Sequence, residues 1–186
     1  SSNCILHQGA SPLFIDINKD TFNIDTDLLK KQLRKKKISN KAKAIIATDF
    51  GGNPCDWREL KKISKKYNLV LINDNCHALG ASMENNKKYA VKYADIISHS
   101  YHAVKNMTTG EGGSILTNNK KIFDKAKILR SHGIIKNINK SEPWNYEMIQ
   151  LGSNNRLTDI QATLGSSQLK KLNKFVKYRQ SLAKFY

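Results

Sequence analysis

The chain has 186 residues, 39% of them hydrophobic and 25% charged, which is enough apolar material for one cored domain. No apolar run approaches the roughly 20 residues of a membrane-spanning helix, and no secretory leader pattern opens the chain. Thirty-two Lys and Arg against 15 Asp and Glu give a net charge of +17, yet no finger, RNP or helix-turn-helix pattern accompanies it.

The positive charges are mainly lysines on polar helix faces, mixed with many Asn and Ile. AT-rich coding produces that mixture without any ligand, so a basic nucleic-acid-binding or interaction domain is the weaker alternative. Cys4, Cys55 and Cys76 are an odd set with no C-x-x-C pair. They argue against a disulfide scaffold or zinc knuckle and for a reducing, cytoplasmic compartment. His99 and His102 have H-x-x-H spacing, but no ligand set completes a metal shell nearby. The chain begins without Met and stops inside a helical pattern, which predicts a piece of something longer.

In chain order, residues 12–16 read as a short buried strand. Residues 25–37 read as a helix with Leu28, Leu29 and Leu33 on one stripe, closed by Lys35, Lys36 and Lys37. The run at 44–48 is continuously apolar, as in a strand covered on both faces. Asp56 and Glu59 open a helix in capping-box style that reaches Tyr67, with Trp57 packing in its first turn. Strands follow at 69–72, 94–98 and 114–117. A helix over 120–130 stops at Gly133. Residues 136–155 read as a polar loop carrying Pro143 and Trp144, and a last helix starts at Thr158 or Asp159. This alternation predicts an α/β domain with a largely parallel sheet.

Ligands of such sheets sit beyond the carboxyl ends of the strands. The segments to weigh are therefore 49–56, 74–77 and 98–113. Asp74 ends one strand. Lys105, 31 residues later, follows the next strand and precedes Thr108, Thr109, Gly110, Glu111, Gly112 and Gly113. Three glycines in four positions permit close approach and positive φ. A carboxylate and a lysine at neighbouring strand ends suit pyridoxal phosphate, which needs a lysine for its Schiff base and an acid beside its ring nitrogen. Hydroxyls and backbone N–H groups near Ser100 suit a phosphate.

The segment Ser100-Tyr101-His102-Ala103-Val104-Lys105-Asn106-Met107-Thr108-Thr109-Gly110-Glu111-Gly112-Gly113 resembles the S-F-H-x-x-K-x-x-T-x-x-E-G-G signature of the DegT/StrS sugar-nucleotide aminotransferases. Matching pieces occur in the family's order at 9–16, 50–56, 74–80, 130–133 and 152–162. Residues 143–148 and 167–169 are most similar to the branch that serves pseudaminic-acid biosynthesis. The resemblance implies an aspartate-aminotransferase-like, fold-type-I large domain. Its mostly parallel sheet would be flanked by helices and incomplete at both ends. Residues 1–186 would be the central part of that domain, with the N-terminal phosphate-holding segment and the small C-terminal domain missing.

The same resemblance implies the site. Lys105 falls on the Schiff-base lysine, which also shuttles the proton. Asp74 falls on the partner of the pyridinium nitrogen, His77 on the residue packed near the ring, and Ser100 on a phosphate-binding hydroxyl. Asn154 falls on the asparagine that reaches the phosphate in the partner subunit of a homodimer with shared sites. The implied reaction moves an amino group, from glutamate, to a UDP-linked 4-keto-6-deoxy sugar; another keto-sugar nucleotide is the alternative within the family. Two positions depart from the pattern: Asn155 stands where an aromatic is usual, and Ala103 where many members have Pro. Glu111 reads as a loop acid, with a direct site role as the alternative. His102 reads equally as packing against the sheet end or touching ligand, and Trp144 and Tyr146 lie by resemblance near the sugar pocket. Cys76 beside His77 is not read as a nucleophile pair, because chain neighbours rarely face each other.

Overall fold

Three apolar runs of the sequence pair side by side as a parallel sheet. The computed structural model describes residues 1–136 and 144–186. In it, β1 (Ala44–Thr48), β2 (Val70–Asp74) and β3 (Ile96–Ser100) are parallel. β4 (Gly113–Leu116) lies antiparallel beside β3, giving the order β1-β2-β3-β4. Parallel neighbours need crossovers, and α4 (Trp57–Tyr67) and α5 (Tyr89–Tyr93) lie in them. The register sets Thr48 beside Asp74, Asp74 beside Ser98, and Ser100 beside Gly113. One end of the sheet thereby gathers the three polar segments singled out in the sequence.

At its start, α4 is capped by Asp56, whose carboxylate accepts from the Glu59 N–H; at its end, Asn68 adopts the left-handed conformation. Glu59 pairs with Lys30 and Lys62, each at 3.2 Å, so it does not complete the expected capping box. Trp57, Leu60 and Ile63 face inward, onto Leu29 and Leu33 of α2 (Thr26–Leu33) and onto Ile45, Leu71 and Ile97 of the sheet. Burying each such aliphatic side chain contributes about 1.5–3 kcal/mol.

Four local expectations are corrected. Residues 12–16 are not a buried strand: Leu13 and Phe14 are 57% and 77% exposed, and a single antiparallel bridge links Ile17 to Ile24. An apolar run becomes a strand only where another strand offers it a ladder, and no described strand does. The helix expected over 25–37 ends at Leu33, because the buried stripe finds no further apolar residue until Ile38. Lys35 turns extended, and the lysine run opens the short α3 (Lys36–Ser39) instead of closing α2. The strands are not equally covered on both faces. Ile46 and Ile72 stay half-buried, because α2, α4 and α5 share one core on the Ile45 and Leu71 side. Finally, 136–155 is not all loop: β5 (Ile134–Lys136) and β6 (Tyr146–Met148) pair antiparallel. Pro143 lies outside the described residues.

The last two long helices follow the sequence reading, whereas the short helix that opens the chain and α5 were not anticipated. α1 (Ser2–His7) precedes the irregular segment, and α6 (Lys120–Leu129) is capped by Asn119. The Gly133 N–H returns to the Ile128 carbonyl at 3.0 Å, ending α6 where expected. α7 (Asp159–Phe185) starts in a full capping box between Thr158 and Gln161. It lies directly against the lysine segment: a Cβ on Gly165 would sit 2.8 Å from the Thr109 methyl, so only glycine allows this approach. Among the described residues no helix is long and apolar enough to cross a membrane.

Candidate active site

Asp74 ends β2, and its carboxylate is held from two sides. The Ser1 hydroxyl donates to Oδ2 at 2.5 Å, and the Cys76 N–H donates to Oδ1 at 3.3 Å. Burial alone would raise its carboxyl, but the hydrogen bonds from Cys76 and Ser1 outweigh burial and hold it below the usual carboxylate range. Asp74 is thus an anion throughout the neutral range. The adjoining Cys76 thiol is pushed up to about 11, first by burial and then by its hydrogen bond to Asp74 and that group's charge. It is a poor nucleophile, as expected. The Lys105 ammonium is near enough to pull the same thiol back down. Asp74 and Cys76 therefore share one electrostatic site, and the charge of Lys105, 31 residues along the chain from the acid, reaches the thiol.

Lys105 sits in the turn after β3. Its N–H donates to the His102 carbonyl at 3.0 Å, and its own carbonyl accepts from Arg179 of α7 at 3.4 Å. Its amine makes no hydrogen bond among the described residues. The loop beyond it is pinned: the Thr109 N–H and the Thr108 hydroxyl both donate to the Tyr101 carbonyl, at 2.9 and 3.1 Å. The glycines do what their spacing suggested, since a Cβ on Gly113 would lie 2.6 Å from the His99 carbonyl. The backbone of the lysine is fixed and its amine is free.

His77 lies in the turn after β2. Its Nδ1 accepts from the Gly51 N–H at 3.4 Å, and its ring meets Phe50 edge-on with centroids 5.7 Å apart. Ser100 ends β3 and accepts from the His102 N–H at 3.3 Å. These two residues join Asp74 and Lys105 at the carboxyl end of the sheet. Asn154 makes no hydrogen bond to them among the described residues. It is exposed beyond β6, bridged through its backbone to Ser131. His102 is half-exposed and lies 3.6 Å from Glu111, which is largely exposed. Trp144 and Tyr146 are exposed, 73% and 63%.

Sequence reasoning missed two groups around the site. Asn106 donates to the carbonyls of His77 and Leu79, at 3.3 and 2.8 Å, tying the lysine turn to the histidine turn. Its place next to Lys105 was the available signal. Phe50, which backs His77, stood in a segment marked for attention but was given no role. Trp57 does more than pack, because its indole N–H donates to Asp49 at 2.9 Å. Among the described residues no cluster of His, Cys, Asp and Glu could hold a metal ion.

His99 carries a pH dependence. Burial pushes its imidazole below the ordinary value, against a smaller upward pull from the Asn75 backbone, and its Nδ1 has no partner among the described residues. As pH falls below about 6.5, the unfolded chain takes up this proton and the folded chain does not. Stability is therefore lost on acidification through that range. The thermal midpoint should fall between pH 7.5 and 5.5, and His99→Gln should flatten the fall; an equal slope in the variant would contradict this.

The sequence profile of the DegT/DnrJ/EryC1/StrS aminotransferase family matches residues 1–186. The chain belongs to this family. It is 42% identical over 186 residues to the UDP-4-amino-4,6-dideoxy-N-acetyl-beta-L-altrosamine transaminase of Campylobacter jejuni, covering all of this chain and 47% of that protein. Helicobacter pylori PseC, an aminotransferase involved in the biosynthesis of pseudoaminic acid, superposes with a TM-score of 0.81 at 35% identity. The match covers 92% of this chain and 43% of that one. The Streptococcus pneumoniae sugar aminotransferase Spr1654, in its PMP form, gives 0.85 at 30% identity over 98% of this chain and 50% of its own. The fold is thus the aspartate-aminotransferase-like, fold-type-I α/β architecture that the lysine segment implied. The chain spans about half the length of the relatives it matches.

Proposed function

We propose that residues 1–186 are the central part of the cofactor-binding domain of a pyridoxal-phosphate-dependent sugar-nucleotide aminotransferase. Its substrate is a UDP-linked 4-keto-6-deoxy amino sugar of the pseudaminic-acid type, its donor is glutamate, and the enzyme works in the cytoplasm. One observation carries this reading: Asp74, kept anionic by its hydrogen bonds, ends β2, and the turn that carries Lys105 follows the adjacent parallel strand β3, in the family's register. The altrosamine transaminase at 42% identity supports the choice of sugar.

The residues present fit the cofactor. Its chemistry, when bound, is that of an electron sink whose ring nitrogen must stay protonated. Asp74, kept anionic by its hydrogen bonds, stabilises a proton on that nitrogen. His77, backed by Phe50, covers a ring face. The Ser100 hydroxyl and the N–H groups of the turn after β3 donate to the phosphate. Lys105, on a rigid backbone, would hold the cofactor through its amine and would serve as the proton carrier at the donor Cα. To test the substrate, the pyridoxamine form of the full-length protein would be mixed with keto-sugar nucleotides. The altro-configured UDP sugar should convert the bound form fastest. Conversion by a GDP-linked sugar alone would move the substrate, and conversion by none would overturn the reading.

Asn154 fits the same proposal only in a homodimer. It is exposed, as a residue contributed to a partner's pocket would be. A hydrogen bond to a charged acceptor contributes about 1.5–3 kcal/mol, so Asn154→Ala should weaken cofactor retention about ten- to a hundredfold. Subunits carrying Lys105→Ala and Asn154→Ala should complement when mixed, because one pocket of the heterodimer then carries neither defect. A mixture as poor as its parents after proven exchange would place Asn154 in its own subunit.

A further inference from the structure

The Asp49 carboxylate, one residue beyond β1, is fully buried and holds five donors. Oδ1 accepts from the Cys55 N–H at 2.8 Å and the Trp57 indole at 2.9 Å. Oδ2 accepts from Asn73 at 3.2 Å, Asn75 at 2.8 Å and the Tyr89 hydroxyl at 2.7 Å. A carboxylate offers about four lone-pair sites and no donor, so this shell suits the ionised acid and leaves no place for an amide N–H. Among the described residues no Lys, Arg or His forms an ion pair with it. A buried charge without a counter-ion is costly, and a fold needing only a tie here could use a neutral group.

What the carboxylate holds lies around the site. Asn73 and Asn75 are the two chain neighbours of Asp74, and the Asp49 N–H donates to the Asp74 carbonyl at 3.2 Å. On the other side of Asp49, Phe50 enters the turn Phe50–Gly52 that meets His77, both through the Phe50 ring and through the Gly51 N–H. The Cys55 bond closes that loop. One buried anion thus grips the strand end that carries Asp74 and the turn that backs His77.

We propose that Asp49 is a positioning residue: through Asn73 and Asn75 it sets the orientation of the Asp74 carboxylate, and through its turn it sets Phe50 against His77. This rests on the cofactor reading given above. Groups that support a site's contacting residues act on the geometry of those contacts. The Asp74 carboxylate controls the proton on the ring nitrogen, so its tilt is read directly in the pH titration of the bound cofactor's visible band.

The test uses the full-length enzyme with pyridoxal phosphate and three variants. Asp49→Asn should move the midpoint of that titration by about one pH unit. It should also lower cofactor affinity about tenfold, the low end of what loss of an outer supporting partner costs at metal sites. Asn75→Ala, which cuts the link next to Asp74 and with it the amide's bond to the Tyr89 hydroxyl, should move the midpoint in the same direction. Tyr89→Phe removes another donor to the same oxygen and one acceptor of the Asn75 amide but keeps the Asn75–Asp49 bond; it should lower the thermal midpoint and leave the band and its titration unchanged. If Asp49→Asn does not fold, Asn75→Ala against Tyr89→Phe decides the matter alone. Lowered thermal midpoints with the parent's titration and affinity in both site-side variants would reduce Asp49 to a fold tie and overturn the proposal. A parent protein that shows no visible band with pyridoxal phosphate would overturn the functional reading itself, and this proposal with it.

Discussion

Lys105→Ala in the full-length enzyme should lower amino transfer by at least about 10⁴-fold, since it removes both the covalent attachment and a proton carrier, the latter alone contributing about 10²–10⁴. The loss should come without unfolding. The Lys105 amine makes no hydrogen bond among the described residues, and the contacts that hold its turn, from His102 and Arg179, use the backbone. Lys105→Arg should not restore activity, because a guanidinium stays protonated and offers no free nitrogen lone pair. Activity within tenfold of the parent in either variant, measured as single-turnover conversion of the pyridoxamine form, would remove Lys105 from the chemistry.

The second large effect belongs to Asp74. Asp74→Asn keeps the side chain's shape and its acceptor for the Cys76 N–H but removes the charge. Leaving one member of a buried ion pair uncompensated costs about 3–5 kcal/mol, or roughly a hundred- to several-thousand-fold in kcat/KM at saturating cofactor. The Cys76 thiol provides an independent readout. Two of the causes that push it up to about 11 are the hydrogen bond and charge of Asp74, so in Asp74→Asn it should titrate lower and alkylate faster at pH 8. Unchanged kcat/KM with faster alkylation would mean that the acid shapes the local field without serving the cofactor.

What could be read from the sequence was whatever depends on near neighbours. The apolar runs that became β1, β2, β3 and β4 announced themselves, as did the caps at Asp56 and Thr158. Residues 12–16 looked no different from those runs, yet a strand needs a partner, and pairing is not written in a single segment. The lysine run at 35–37 misled for the opposite reason: its charge suited a helix end, while the buried stripe that sustains α2 had already finished at Leu33. Asp74 and Lys105 were legible because their chemistry and spacing sit in a dense motif. Asp49 was not, because its five donors come from positions 6 to 40 residues away and meet only when the sheet forms. Asn154 was placed by resemblance alone, and within the single chain it lies at the surface, bridged through its backbone to Ser131.

Lys105 is, on the proposed function, the residue that bonds pyridoxal phosphate. Borohydride reduction of the full-length protein loaded with that cofactor, followed by peptide mass mapping, tests it directly. The account predicts one pyridoxyl adduct, on the peptide carrying Lys105, and none in Lys105→Ala. An adduct on any other of the chain's lysines, or no adduct in a protein that binds the cofactor, would contradict it.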